Sequence, residues 1–195
     1  YPQRDEFSVY VNEVNENLVV QGSPILLRNY KDLKGKGFNV DLVKSEDKKT
    51  FLICRQFKGK PGERLGFEIS VIDRSFNEQW YKSFQLSYLN RDMSGVDIKI
   101  DNGGNLYLLG NKVEASPSRN KENSNGYFVL YYGWENTLLK ISQVGLKPGV
   151  NFTAALEMAK GVRPLVVGLN MEKKVVKYFV DEVDTQTGVV DNVYS

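Results

Sequence analysis

One stretch of this chain matches another without a gap at an offset of 58 residues, and that register limits the fold more than any other feature. The first copy reads Val96-Asp-Ile-Lys-Ile-Asp-Asn-Gly-Gly-Asn-Leu-Tyr-Leu-Leu-Gly110, and the second runs from Ala154 to Gly168. Ile98 falls on Leu156, Ile100 on Met158, Leu108 on Val166 and Gly110 on Gly168. An earlier copy fits with a turn two residues longer, with Phe38, Val40 and Leu42 as its alternating stretch and Thr50 to Cys54 as its apolar run. Alternation with period 2 marks a strand with one buried face, and a short continuous apolar run marks a strand buried on both. Between them, Asp101-Asn-Gly-Gly-Asn105 is a turn, because Gly and Asn tolerate the positive φ that hairpins require.

Each copy continues into a third strand and a fourth. The third strands are Gly66 to Asp73, Tyr127 to Tyr132 and Val176 to Val180. The turns that follow are Arg74 to Asn77, Gly133 to Asn136 and Asp184 to Gly188. The fourth strands carry Trp80 and Phe84, then Leu138 and Ile141, then Val189, Val190 and Val193. Four short antiparallel strands per unit form a β-meander, the blade pattern of a propeller. The expected fold is therefore all-β: antiparallel four-stranded meander repeats of about 58 residues, β-propeller-like and incomplete, with a β-sandwich or barrel as the alternative. The expected units are 36–94, 95–152 and a truncated 153–195, within one structural domain. Residues 1–35 hold three strand-like runs, at Phe7, Leu18 and Ile25, and read as part of a preceding repeat or an edge extension. A start at Tyr1 and an abrupt end read as an excerpt of a longer protein. Thr153 to Lys160 has helix-forming residues, but its gapless match to the strand Val96–Ile100 makes it a strand.

Composition narrows the chemistry. There is no histidine, which removes the commonest general base and zinc ligand and every Ser-His or Cys-His arrangement. The single cysteine, Cys54, excludes an internal disulfide and reads as a buried small hydrophobe. Net charge is +2 and basic residues are interspersed with acids, so no nucleic-acid partner is expected. No run reaches the roughly 18 apolar residues that span a bilayer as a helix.

Asp101 to Gly110, the Tyr-rich third strand and the closing Val183 to Gly188 hairpin resemble propeller-type β-meander repeat proteins of an uncharacterised bacterial cell-envelope or secreted group. The resemblance covers about 36–195. It implies blade architecture and an envelope or secreted setting, and it carries over no catalytic residue.

No catalytic or metal site and no cofactor are assigned. Asp41, Lys99 and Glu157 are read as equivalent solvated positions, differing in sign from copy to copy. Asp181, Glu182 and Asp184 form a local acidic cluster, with Asp184 expected to cap a turn. Asp101 to Asn105 lacks the alternating acids of a calcium loop. Lys58 to Gly62 lacks the spacing of a phosphate loop, and Asn151-Phe-Thr153 matches a glycosylation acceptor. The aromatics Tyr127, Phe128, Tyr131, Tyr132, Trp134, Tyr107, Tyr88, Trp80 and Tyr81 read as packing between blades, with a ligand platform as the alternative. The polar loop Glu114 to Gly126 reads as mobile. The expected function is a non-catalytic binding or scaffold module engaging a protein or glycan partner. The alternatives are a fragment of a carboxylate-dependent glycosidase completed by sequence outside the chain, and an assembly surface that self-associates through open sheet edges.

Overall fold

The computed structural model describes residues 6–31, 37–58, 63–89, 93–113, 125–135, 137–144, 151–161, 163–172, 175–184 and 190–194. Among these there is no helix. The chain forms two compact units, Tyr1–Phe38 and Asn39–Ser195. The first holds a hairpin of β1 (Glu6–Val14) and β2 (Val20–Lys31), in which Phe7 stacks on its cross-strand partner Tyr30 at 6.5 Å. The region thus has two strands rather than three: Leu18 lies in the connecting turn at φ 61°, closed by Asn15 Oδ1 accepting from Asn17 and Val19 N–H.

The second unit is three four-stranded antiparallel meanders in strict sequence order. Meander 1 is β3 (Gly37–Lys44), β4 (Thr50–Lys58), β5 (Arg64–Asp73) and β6 (Glu78–Leu89). Meander 2 is β7 (Met93–Ile100), β8 (Leu106–Val113), β9 (Asn125–Gly133) and β10 (Leu138–Val144). Meander 3 is β11 (Asn151–Ala159), β12 (Arg163–Glu172), β13 (Val175–Val183) and β14 (Val190–Tyr194). Among the described residues no sheet closes on itself. Thr153 to Ala159 is strand, so pairing overrides helix propensity here.

The 58-residue offset survives as hydrogen-bond register. Val96 pairs with Gly110, Ile98 with Leu108 and Ile100 with Leu106; Ala154 pairs with Gly168, Leu156 with Val166 and Met158 with Pro164. Meander 1 needs a correction: its first turn closes from Ser45 N–H to the Thr50 carbonyl, against Asp101 to Asn105, so it is one residue longer rather than two. By that register Leu42 answers to Ile98, two residues from the sequence match, which leaves each residue of the strand on the same face. Val43 packs into the core shared with meander 2, and Leu42 on the other face is left 67% exposed.

Meander 2 is buried on both faces, which explains why β8 and β9 are apolar without alternation. On one side Ile98, Leu108, Phe128 and Leu130 pack with Leu52, Phe67, Ile69 and Val71 of meander 1. On the other, Tyr107, Leu109, Val129 and Tyr131 pack with Leu156, Val166 and Phe179 of meander 3. A Gly–Phe pair joins the second and third strands of every meander: Phe57 with Gly66, Gly110 with Phe128, and Gly168 with Phe179. At Gly66 and Gly168 the ring lies over the bare Cα, in the space a Cβ would take. The aromatic thus restores the burial that a strand glycine lacks.

Two substitutions test these devices by urea unfolding. A Cβ at Gly168 would meet the Phe179 ring and lie 2.6 Å from the Thr153 carbonyl oxygen. Gly168→Ala should therefore destabilise the chain by about 1–3 kcal/mol. Exposed Lys48 occupies the left-handed region at φ 59°, so Lys48→Gly should stabilise by about 0.5–1 kcal/mol.

Candidate functional site

The three meanders converge at their first turns, Ser45–Thr50, Asp101–Asn105 and Ala159–Arg163, and the middle turn holds a cluster of polar contacts. Asp101 is 5% exposed and opens the turn. Its Oδ1 accepts from Gly103 N–H at 2.9 Å and Asn105 N–H at 2.8 Å. Its Oδ2 accepts from Asn105 Nδ2 at 2.9 Å and the Tyr107 hydroxyl at 3.0 Å. Gly104 follows at φ 83°, the left-handed position that closes a three-residue hairpin loop. Asp73 builds the same device at the turn between β5 and β6 of meander 1, accepting from Ser75 N–H, Asn77 N–H and Asn77 Nδ2.

Groups from all three meanders then fasten the middle turn. Trp80 of meander 1 donates Nε1–H to the Gly104 carbonyl at 3.1 Å, and Trp134 of meander 2 donates to the Gly103 carbonyl at 2.8 Å. Asn102 is the link on both sides. Its Oδ1 accepts from Asp47 N–H at 3.1 Å, and its own N–H donates to the Gly161 carbonyl at 2.9 Å. Four residues before the turn on β7, Asp97 Oδ2 accepts from Leu156 N–H at 2.9 Å, so β7 and β11 are tied by a side chain.

This arrangement holds the sheets together and leaves Asp101 little chemistry of its own. A carboxylate has about four lone-pair sites, and four donors occupy those of Asp101. It is neither an available base nor a metal ligand. Among the described residues no three His, Cys, Asp or Glu side chains gather to hold a metal.

Two of the other acidic positions, Glu157 and Glu182, also have cationic partners. The hairpin register places Asp41 with Asp97, four residues before each turn, not with Lys99 as a sliding comparison of the sequences reads it. Lys99 and Glu157 do share a position, and they face each other across the meanders at 3.9 Å. Arg163 holds Glu182 through Nε at 2.9 Å, and that hydrogen bond keeps its carboxyl below the usual range. Asp181 is buried, at the position that Leu130 fills in meander 2. The turn expected to be capped by Asp184 lies outside the described residues, as do 59–62 and 114–124 and the side chains of Tyr88 and Asn151. Cys54 is fully buried, and desolvation pushes its thiol far above the ordinary value.

Most of these aromatics are core, but Tyr81 is 40% exposed rather than packed between meanders. Tyr107, Tyr127, Phe128, Tyr131 and Tyr132 are all at most 9% exposed, with Tyr131 and Tyr132 on opposite faces of β9. Trp80 is tilted on Tyr132 at 5.3 Å, and Tyr107 on Tyr131 at 5.2 Å.

In meander 3 Tyr178 breaks this pattern, and composition alone gives no sign of it. Phe179 answers to Phe128 by the Gly–Phe pair, so Tyr178 answers to Tyr127, Val180 to Val129, Val167 to Leu109 and Leu165 to Tyr107. The residues of meander 2 at these positions are buried against meander 3, yet Tyr178 is 73% exposed and Leu169 beside it 48%. They form the free face of meander 3, over a shallow apolar groove of about 420 Å³ lined by Thr153, Ala155, Val167, Leu169, Tyr178 and Val180. No protein-family model, curated protein or solved structure matches the chain.

Burial first, and the neighbouring Asp101 second, push the Tyr107 phenol far above its ordinary value of 10. A raised folded value means that the stabilisation is complete below the ordinary value and is lost as pH rises beyond it. The urea midpoint should therefore fall above about pH 10, and less steeply in Tyr107→Phe. That variant should cost about 1 kcal/mol at neutral pH, and Asp101→Ala about 3 kcal/mol.

Proposed function

We propose that the chain is a non-catalytic binding or scaffold module that engages a protein partner through the free face of meander 3. A single observation carries the reading: positions that meander 2 buries against the next sheet are open on meander 3, with the same apolar character. A flat, exposed sheet face with a central aromatic is the kind of surface that protein interfaces use, with Tyr enriched at the centre and charge kept to the rim. Here the charges are at one end, where Glu157, Arg163 and Glu182 border the groove residues.

The chemistry favours protein over glycan. Sugar sites pair an aromatic platform with polar groups that fix hydroxyls, whereas the neighbours of Tyr178 in the groove are Ala155, Val167, Leu169 and Val180, with one hydroxyl at Thr153. Four of the acids that a glycosidase might use are engaged in the scaffold: Asp101 in its turn, Asp97 on Leu156, Glu157 with Lys99 and Glu182 with Arg163.

A photo-crosslinking residue at position 178 tests the reading in extract of the source cells, with position 177 on the opposite face of β13 as control. The expected result is a discrete protein adduct from 178 that is lost when Leu169→Glu is added, with none from 177. Equal labelling from both positions, or turnover of a glycoside panel abolished by an Asp or Glu substitution, would overturn it.

A further inference from the structure

Asn102-Gly103 and Asn125-Gly126 are the two Asn-Gly pairs of the chain. An asparagine reacts with its own main chain when the next amide nitrogen attacks its side-chain carbonyl carbon. Glycine in that next position, having no Cβ, obstructs the attack least. We infer that Asn102 is a latent modification site: it deamidates through Gly103 when the middle turn opens, and the closed turn holds it unreactive. The inference is independent of what the free face of meander 3 binds.

The step joins Gly103 N to Asn102 Cγ and releases the side-chain nitrogen as ammonia. Water then opens the resulting five-membered succinimide at one of its two carbonyls. Opening on one side leaves aspartate, and opening on the other leaves isoaspartate. Water is the only co-reactant.

Such an attack requires a Gly103 nitrogen that can give up its proton, an Asn102 side chain turned toward it, and main-chain freedom between them. The closed turn withholds all three. Gly103 N–H is donated to Asp101 Oδ1 at 2.9 Å, and the carboxylate holds that proton in place. Asn102 Oδ1 accepts from Asp47 N–H of meander 1 at 3.1 Å, and its amide lies against the bare Cα of Gly161 in meander 3. The Asn102 N–H is bonded to the Gly161 carbonyl at 2.9 Å. Gly104 N–H donates to the Asp101 carbonyl at 3.1 Å, which makes Asn102 and Gly103 the central residues of a β-turn. Trp134 fastens the Gly103 carbonyl at 2.8 Å. Turning the side chain onto Gly103 N breaks the bond to Asp47, and freeing that nitrogen breaks the bond to Asp101. The bonds that join the meanders thus also keep an Asn-Gly pair out of reaction. A group that reacts only from an open state reacts at its free rate multiplied by the open fraction.

The modification persists when the chain closes again. Isoaspartate routes the main chain through Cβ and Cγ, adding one carbon between residue 102 and Gly103. The groups of the turn are matched one by one to Trp80, Trp134, Asp101 and Gly161. An added atom puts Gly103 and Gly104 out of step with these partners. A chain that has stayed open long enough to react is thereby marked and kept from the native register.

Peptide mapping by mass spectrometry tests the inference on the full chain, incubated at mildly alkaline pH in native buffer and in denaturing urea. Deamidation is read as the mass difference between amide and acid, with Asn125 in the urea sample as the reference for the same chemistry. Asn102 should react in urea, and at least tenfold more slowly in native buffer. Trp134→Phe removes one hydrogen bond from the turn. It should raise the native rate at Asn102 about fivefold and leave the rate in urea unchanged. After return from urea to native buffer, brief proteolysis should find isoaspartate at 102 enriched in the digested fraction and depleted from the resistant one. No reaction at Asn102 in urea would remove the site. Equal rates in native buffer and urea, or a native rate that Trp134→Phe leaves unchanged, would show that the turn does not protect it. Isoaspartate shared evenly between the two fractions would contradict the loss of register.

Discussion

The turn at Asp101–Asn105 shares a side-chain or backbone hydrogen bond with every meander of the second unit. Within meander 2, Asp101 takes four donors, and Trp134 fastens Gly103. From meander 1 come Trp80 on Gly104 and Asp47 N–H on Asn102, and to meander 3 goes the bond from Asn102 N–H to Gly161. Stacked sheets joined only by apolar contact are free to slide, since hydrophobic packing is non-directional. Hydrogen bonds are directional, and these fix the three sheets in one register at the turn end. The crowding at Gly161, where a Cβ would run into the Asn102 side chain, shows how closely the turns approach. The two apolar cores then supply the bulk of the stabilisation on a frame that the turn defines.

That constraint shapes what the surface can offer. Side chains with the greatest chemical potential, Asp101, Tyr107, Asp97 and the two tryptophans, are engaged in holding sheets together. Burial also raises the Cys54 thiol and the Tyr107 phenol, so both remain protonated and inert at neutral pH. What the stack leaves open is a face and not a pocket of reactive groups. A sheet in such a stack that no other sheet covers presents an open stacking face, and among the described residues meander 3 presents one.

Much of this fold was legible in the sequence because the 58-residue offset reports hydrogen-bond register directly, from Ile98–Leu108 to Leu156–Val166. It also overrode the helical composition of Thr153–Lys160. Gly110 and Gly168 stood out as fixed points of the repeat, but their partners Phe128 and Phe179 did not, because loops of unequal length separate them. The slip at Asp41, from Lys99 to Asp97, has a simple cause: a strand alternates with period 2, so sliding it by two residues keeps every apolar position on the same face, and only the turn's hydrogen bonds fix the register. The open face was the least legible part. Tyr127 and Tyr178 are the same residue in the same repeat position, and only the presence of a following sheet separates 9% exposure from 73%.

Native-state hydrogen exchange on Asn102→Ala tests the role of the turn most directly. The substitution leaves the backbone bond to Gly161 and removes the side-chain acceptor that holds Asp47. If the turn sets the register of the stack, protection should fall by at least tenfold in β4 and β8 together, well beyond the turn, equivalent to about 1.4 kcal/mol of lost coupling. Loss of protection confined to Asp47 and its immediate neighbours, with β4 and β8 unchanged, would contradict the account.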